Sequence, residues 1–280
     1  MIFPRLITAI IGIPLIMLSI YFGGIPFFIL MLLVVLFSIH EYYYIISRTG
    51  FDVQQITGYA FGVLIFASVF FNGTELLTKT QGQLSSIMLT LCLFVFSVYE
   101  IIRVNFSKTQ EVSGSIVRIA LTFFGVFLIS WTFCHILLIR DINPGGVKYT
   151  FFLFLLIWIS DTGAYVIGKK FGRIKLAEKI SPNKTVEGLV GAVITGIIAG
   201  LIMWKVMGLN ELRLAEVASI SALIALFAGI SDLAESLLKR DVGLKDTDVL
   251  LPGHGGMLDR FDSFIFTAPF FFYYLTIFHK

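Results

Sequence analysis

Residues 26–46 read PFFILMLLVVLFSIHEYYYII, an apolar run of the length that one membrane crossing requires. A helix needs about 20 mostly apolar residues to span the hydrocarbon core. Comparable runs recur along the 280-residue chain, of which 57% is hydrophobic and only 14% is charged. A soluble domain is about 25% charged, and a membrane β-barrel shows short alternating segments instead. The sequence therefore predicts an all-α, polytopic integral membrane protein, a helical bundle embedded in the lipid bilayer.

Nine transmembrane helices are predicted from these runs. They cover residues 5–22, 26–46, 56–71, 84–102, 116–139, 150–168, 187–207, 214–237 and 262–278. The third run is short, and a tilted helix or a locally thin bilayer would accommodate it. The first run has no clear cleavage site and is interpreted as a span, not as a signal peptide. We divide the chain into N-terminal helices (1–110), middle helices with a basic loop (111–186) and C-terminal catalytic helices (187–280).

The Lys and Arg residues are distributed unequally between the two sides of this predicted topology. The side that holds the loops after even-numbered spans carries 15 of the 21. Positively charged loops stay in the cytoplasm, so this side is predicted to face the cytoplasm, across a bacterial inner membrane. It includes the polar loops 169–186 and 238–261. The net charge of +3 is small. In a membrane protein it reflects the orientation of the chain in the bilayer, so no nucleic-acid partner is expected.

Residues 236–262, SLLKRDVGLKDTDVLLPGHGGMLDRFD, concentrate charged side chains between two apolar runs. Ionisable groups near a bilayer are costly, which makes such a cluster a candidate functional site. Asp232, Ser236 and Lys239 or Arg240 share one helical face. The glycine-rich turn before Asp259 exposes backbone N–H groups to anions.

Asp259 and Asp262 are three residues apart and suit one Mg²⁺ ion. The alternatives to a phosphate-and-metal site are a self-neutralising Asp–Lys pair in the eighth span and acidic capping of the last helix.

Two further segments carry polar residues beside apolar spans. Asp161, Tyr165 and Lys169 form a helical stripe that is predicted to face the bundle interior, with a buried Asp–Tyr hydrogen bond as the alternative reading. Residues 181–188, SPNKTVEG, are interpreted as a helix entry with Thr185 as its cap. Lys184, within this stretch, is predicted either to bind phosphate or only to be one of the basic residues that keep this loop in the cytoplasm. His40 and Glu41 end the second span and are interpreted as interfacial.

Acids, lysines and a glycine-rich turn at a membrane surface are typical of phosphoryl or nucleotidyl transfer, in which the protein mainly positions groups and neutralises charge. No Walker A sequence is present. The pattern of CDP-alcohol phosphotransferases is missing too.

The stretch from Ser236 to Asp262 resembles the signature of the CTP:phosphatidate cytidylyltransferases, or CDP-diacylglycerol synthases, S-x-x-K-R-x4-K-D-x…P-x-H-G-G-x-x-D-R-x-D. The residues in register are Ser236, Lys239, Arg240, Lys245, Asp246, Pro252, His254, Gly255, Gly256, Asp259, Arg260 and Asp262. The strings DTGAY (161–165) and SPNKTVEG (181–188) also resemble segments of the family, although Asn183 stands where its members usually have Lys. The resemblance covers about the C-terminal half.

This resemblance implies the reaction of CTP with phosphatidate to give CDP-diacylglycerol and pyrophosphate. It also implies a multi-helix homodimer, a cavity open to cytoplasm and bilayer, Mg²⁺ dependence and a second cation such as K⁺. By position, Asp232 and Asp259 would be the main metal ligands, supported by Asp262.

Lys239 joins these three aspartates in the implied catalytic set, and with Ser236 it would hold phosphate or a cation. The implied substrate-binding residues are Ser236, Arg240, Lys245, Asp246, His254, Gly255, Gly256, Arg260, Asp161, Tyr165 and Lys184. Among them, His254, Arg240 and Arg260 would contact the nucleotide or the leaving pyrophosphate.

Two other functions remain open from the sequence. A CTP-dependent lipid or polyprenol kinase would use similar residues with a free hydroxyl acceptor, and a product assay separates it. An ion-coupled transporter would use the acids as an ion path, usually near the bilayer midplane between paired halves. Here the acids cluster at one face.

Overall fold

The computed structural model describes residues 3–71, 83–106, 112–244 and 255–278. Its helices are α1 (Phe3–Phe22), α2 (Gly24–Ser47), α3 (Gln55–Phe71), α4 (Gln83–Phe106), α5 (Ser115–Gly125), α6 (Thr132–Asp141), α7 (Gly146–Phe171), α8 (Val186–Met207), α9 (Leu214–Asp241), α10 (Leu258–Phe261) and α11 (Phe264–Phe278). A π-helical segment, Val126–Trp131, joins α5 to α6. Two short strands, β1 (Lys175–Ala177) and β2 (Ser181–Thr185), separate α7 from α8.

The all-α polytopic membrane fold is confirmed. Within the described residues, seven helical segments are long and apolar enough to cross a membrane. Two shorter apolar helices, Ile10–Phe22 and Gln55–Phe71, correspond to the first and third predicted spans. The fifth predicted span is the continuous segment Ser115–Asp141. Its middle turn is π-helical, a rare geometry that often lies at functional positions.

The segment before α8 differs from the prediction. Residues 181–185 form strand β2, not a helix entry, and pair antiparallel with β1. Ser181 precedes Pro182, and a residue before proline avoids the helical region of backbone space. The predicted cap is confirmed, because Thr185 is extended and its hydroxyl accepts from the backbone N–H of Gly188 at 3.1 Å. The hairpin therefore leads directly into α8.

Close packing of small residues holds the C-terminal helices together. α7 packs along α8, α8 packs along α9, and α11 lies against α6 and α9. A Cβ added to Gly163 of α7 would come within 2.0 Å of the Thr195 hydroxyl oxygen on α8. A Cβ added to Gly200 of α8 would lie 1.9 Å from the Ser221 hydroxyl oxygen on α9. Small residues that permit such approach are a usual device of membrane helix pairs.

The last span is interrupted near its start. The short helix α10 ends at Phe261, and α11 begins at Phe264. Ser231 of α9 donates a hydrogen bond to the backbone carbonyl of Asp262 in this break. The ring of Phe264 packs 4.4 Å from that of Phe154 on α7, measured between centroids. The interruption thus lies where α7, α9 and α10 meet. It carries Asp262, and Asp259 lies on α10 immediately before it.

Candidate active site

A cavity of about 1180 Å³ opens among α1, α2, α7, α8, α9, β2 and the segment 255–264. Its charged lining residues are Asp161, Lys169, Lys184, Asp232, Asp259, Arg260 and Asp262. All except Lys169 were predicted as substrate-binding or catalytic. The structure therefore gathers candidates from four separate stretches of sequence around one space.

Three carboxylates from different elements form the first group in this cavity. Asp161 lies on α7, Asp232 on α9 and Asp262 between α10 and α11. The charge of Asp232 acts on both Asp161 and Asp262, and the charge of Asp161 also acts on Asp262. The cation beside them is Lys184 of β2, whose Nζ lies 2.7 Å from Oδ2 of Asp232. Asp161 lies in an otherwise apolar stretch of α7. Its side chain is nevertheless exposed, because it lines the cavity. Carboxylates kept at such a position are typical of function.

Ser263 connects two of these acids. Its hydroxyl donates to Oδ1 of Asp262 at 3.2 Å, and its backbone N–H donates to the same oxygen at 2.5 Å. The Ser263 side chain also lies close enough to Asp161 to affect its electrostatics. Both Asp262 and Ser263 are buried. The family signature ends at Asp262, so no sequence pattern selects Ser263, the serine that orients it.

A second, more deeply buried group is built around Lys239. Its ammonium lies 2.6 Å from Oε2 of Glu235 and donates a short hydrogen bond to Oδ1 of Asp259. The backbone N–H of Gly256 donates to the other oxygen of Asp259 at 2.9 Å. The side chains of Lys239, Glu235 and Asp259 are 10%, 1% and 15% exposed. Removing one member of a buried ion pair typically costs about 3–5 kcal/mol, because the remaining charge is left uncompensated.

Glu235 and Glu41 contact residues of the candidate site, and the sequence did not identify either of them. Glu235 forms an ion pair with Lys239, one helical turn away on α9. Glu41 was interpreted as interfacial, but it is fully buried. Its two carboxylate oxygens accept from the backbone N–H groups of Met257 and Leu258 at 2.6 and 2.7 Å. A carboxylate inside a long apolar run was the available signal.

Some predicted residues lie at the edge of the site. Ser236 points toward Asp232, with 3.4 Å between the hydroxyl and Oδ1. Arg240 donates to the backbone carbonyls of Ile180 and Leu244, both at 3.0 Å, and so ties the hairpin to the end of α9.

Tyr165 lines the cavity but is 66% exposed, so the interpretation that its stripe faces the bundle interior is wrong for this residue. The proposed Asp–Tyr pairing is replaced by a contact with Lys169, whose Nζ donates to the Tyr165 hydroxyl at 3.4 Å. Gly255 and Gly256 line the cavity as expected. Lys245, Asp246 and His254 lie outside the described residues.

The donor chemistry of the cavity fits a divalent cation. Asp161, Asp232 and Asp262 supply the hard carboxylate oxygens that Mg²⁺ prefers, with Lys184 as the neighbouring cation. In the part of the chain that the structure describes, no three His, Cys, Asp or Glu side chains are already gathered as a ligand set. Asp259 lies on the same cavity but is engaged by Lys239 and Gly256.

Fold and site together define a polytopic helical membrane protein in which acidic and lysine side chains line one cavity. These side chains come from parts of the chain that are far apart in the sequence. A family model described as the cytidylyltransferase family matches residues 3–278. The chain belongs to this family.

Curated relatives agree with this assignment. The chain is 40% identical over 150 residues to a protein named phosphatidate cytidylyltransferase from Bacillus subtilis, a match that covers 54% of this chain and 55% of that protein. It is 47% identical over 124 residues to the protein of the same name from Staphylococcus saprophyticus. This match covers 44% of this chain and 47% of that protein. The Staphylococcus aureus protein of that name is 44% identical over the same length. The chain spans about half the length of the curated relatives it matches.

Proposed function

We propose that this chain is a phosphatidate cytidylyltransferase, which converts CTP and phosphatidate into CDP-diacylglycerol and pyrophosphate. The observation that carries the proposal is one cavity with a charged end and an apolar end. The names of the relatives support the same substrates. A phosphorylated lipid needs both environments at once.

The charged end is suited to phosphate groups. Lys184 is 24% exposed at the cavity wall, and Lys239 lies deeper between Glu235 and Asp259. Gly255 and Gly256 border the same space, and the lack of a side chain lets a ligand approach the backbone closely. These groups would hold the triphosphate of CTP and the phosphate of the lipid.

The apolar end is suited to acyl chains. Gly12, Ile13, Leu15 and Ile16 of α1 and Leu30 of α2 line the cavity, on helices that carry none of the acids in its lining. Ile13 and Leu15 are 44% and 53% exposed, so lipid tails can lie along them. Burial of each CH₂ group contributes about 0.8 kcal/mol. This wall would therefore select a lipid phosphate over a soluble one.

In the proposed reaction, a phosphate oxygen of phosphatidate forms a bond to the α-phosphorus of CTP. The bond from that phosphorus to the bridging oxygen of the β-phosphate breaks, and pyrophosphate leaves with the electron pair. A phosphate monoester is largely ionised at pH 7, so the protein does not need a base for the nucleophile. The chain's contribution is alignment and charge neutralisation, which dominate phosphoryl-transfer catalysis.

Mg²⁺ is part of the proposal. When bound, it neutralises phosphate charge and orients the attacking and leaving oxygens. Asp232 and Asp262 would hold it, with Asp161 beside them and Asp259 on the adjoining wall. A second cation such as K⁺ and a homodimer stay predictions from the family resemblance.

The active site is proposed to face the cytoplasm. The basic loop between α7 and α8 borders the cavity through Lys184, and the Lys and Arg distribution assigns that loop to the cytoplasmic side. CTP is a cytoplasmic nucleotide with a charge that prevents passage through lipid, so an opening on this side is required.

Product analysis tests the proposed function. The purified protein in proteoliposomes receives CTP labelled in the cytidine ring, Mg²⁺, and either phosphatidate or diacylglycerol. We expect lipid-soluble cytidine label only with phosphatidate, together with one pyrophosphate for each labelled lipid. Absence of labelled lipid with phosphatidate would overturn the proposal, as would formation of unlabelled phosphatidate from diacylglycerol, detected by lipid chromatography, which is the kinase result.

A further inference from the structure

We propose that Glu41 of α2 is a positioning residue, which holds the turn 256–259 so that Asp259 and Asp262 face the cavity. This inference rests on the proposed function for its catalytic consequence. Glu41 is 216 residues from Met257 in sequence, and its contacts join the N-terminal half to the acid-bearing segment. No motif that the sequence shares with the family includes it.

The turn has little support of its own. Helix α10 has four residues, and the first four N–H groups of any helix have no partner within it. Glu41 accepts from two successive amides, those of Met257 and Leu258, with one carboxylate oxygen for each. The orphan amides and the buried carboxylate therefore satisfy each other.

The position of Asp259 depends directly on this turn. Asp259 follows Leu258 immediately, and its Oδ2 accepts from the N–H of Gly256, one residue before Met257. Its Oδ1 accepts from Lys239. Glu41 thus anchors the backbone while Lys239 and Gly256 orient the side chain. Lys239 and Asp259 are also the charged neighbours of Glu41, so the three groups form one buried arrangement.

Glu41→Gln is the informative variant. The amide keeps the size of the side chain but has one acceptor oxygen and an NH₂ group, so one of the two backbone donors loses its partner. Glu100→Gln is the matched control, because Glu100 is a buried glutamate of the same half of the chain that accepts instead from Arg103, Arg118 and Gln54. Glu41→Asp, which keeps the charge and shortens the reach, is the second variant.

The test combines hydrogen exchange at the amides of residues 257 and 258 with CTP kinetics, both on the whole chain in the membrane. We expect Glu41→Gln to accelerate exchange at these amides and to lower kcat/KM by about 10–100-fold, the usual effect of losing a group that orients a ligand. Glu41→Asp should show both changes to a smaller degree. Glu100→Gln should leave exchange at 257 and 258 unchanged and kcat/KM within about twofold.

Unchanged exchange in both folded Glu41 variants would overturn the positioning role. So would equal losses of activity in Glu41→Gln and Glu100→Gln, since both would then reflect stability alone. A wild-type protein that forms no cytidine-labelled lipid contradicts the proposed function instead. The exchange experiment is independent of that result.

Discussion

Lys184 and Asp232 form an ion pair of 2.7 Å that joins the hairpin strand β2 to helix α9 at the wall of the cavity. The two side chains are 24% and 39% exposed, but the ammonium nitrogen of Lys184 itself is buried and has no hydrogen-bond acceptor of good geometry among the described residues. An ammonium group has three donors, and in the proposed function an incoming phosphate would supply the missing acceptor.

Lys184→Gln should raise the KM for CTP or phosphatidate while the thermal unfolding midpoint changes little. The reason is that the substitution removes a cation from the cavity wall, while the Asp232 carboxylate that loses its partner is on a side chain 39% exposed and can be hydrated. Lys179→Gln, at an exposed position of the same hairpin, is the control. Steady-state kinetics with each substrate varied in turn measure the effect. Equal KM values for wild type and Lys184→Gln would remove this lysine from the site.

Asp259→Asn should lower CTP-dependent turnover by at least about 100-fold, the scale of losing one electrostatic contact in an active site. The variant keeps the size of the side chain but loses the charge that Lys239 contacts. We expect it to remain folded and inserted in the membrane. Asp241→Asn at the exposed end of α9 is the matched control. Wild-type turnover in Asp259→Asn would contradict the catalytic role.

Lys239→Ala should destabilise the protein by about 3–5 kcal/mol, because Glu235 and Asp259 would be left in a buried position without their shared cation. Wherever it folds, it should also require more CTP or more lipid for half-maximal activity. Thermal unfolding in detergent and substrate titrations measure the two effects. Lys205→Ala, exposed on α8, provides the comparison. A stability loss with unchanged kinetics would assign Lys239 a purely structural role.

Chelation of divalent cations should abolish turnover, and added Mg²⁺ should restore it. The proposed reason is that Asp161, Asp232 and Asp262 need a divalent ion between them before phosphate groups can approach. EDTA titration followed by Mg²⁺ addition, with K⁺ held constant, measures the dependence. A protein that keeps full activity in excess EDTA would rule out the metal-assisted mechanism.

The fold was accessible from the sequence because membrane crossing depends on length and apolarity alone. Residues 26–46 meet both criteria, and the structure has helix α2 at Gly24–Ser47. The hairpin β1–β2 was missed because strands of three and five residues leave almost no periodic signal. The π-helical turn at Val126–Trp131 was missed because it continues an apolar helix without any change in composition.

The candidate site was predictable where the chemistry lies on contiguous sequence. Asp232, Asp259 and Asp262 were selected from their spacing and from the family signature, and all three line the cavity. The sequence does not predict that Asp232 and Asp262 join Asp161 in one group while Asp259 joins Lys239 and Glu235 in another. That division depends on which helix faces carry Asp161 and Glu235. Glu41 required the fold itself, since its partners lie 216 and 217 residues away.

The central claim is transfer of a cytidylyl group to a lipid phosphate, and the fate of individual phosphates tests it most directly. The protein is given phosphatidate, Mg²⁺ and CTP labelled with ³²P at either the α- or the γ-phosphate. We predict that the α-label enters the lipid phase as CDP-diacylglycerol and that the γ-label leaves as pyrophosphate. Transfer of the γ-label to lipid, or retention of both labels in soluble nucleotide, would contradict the account.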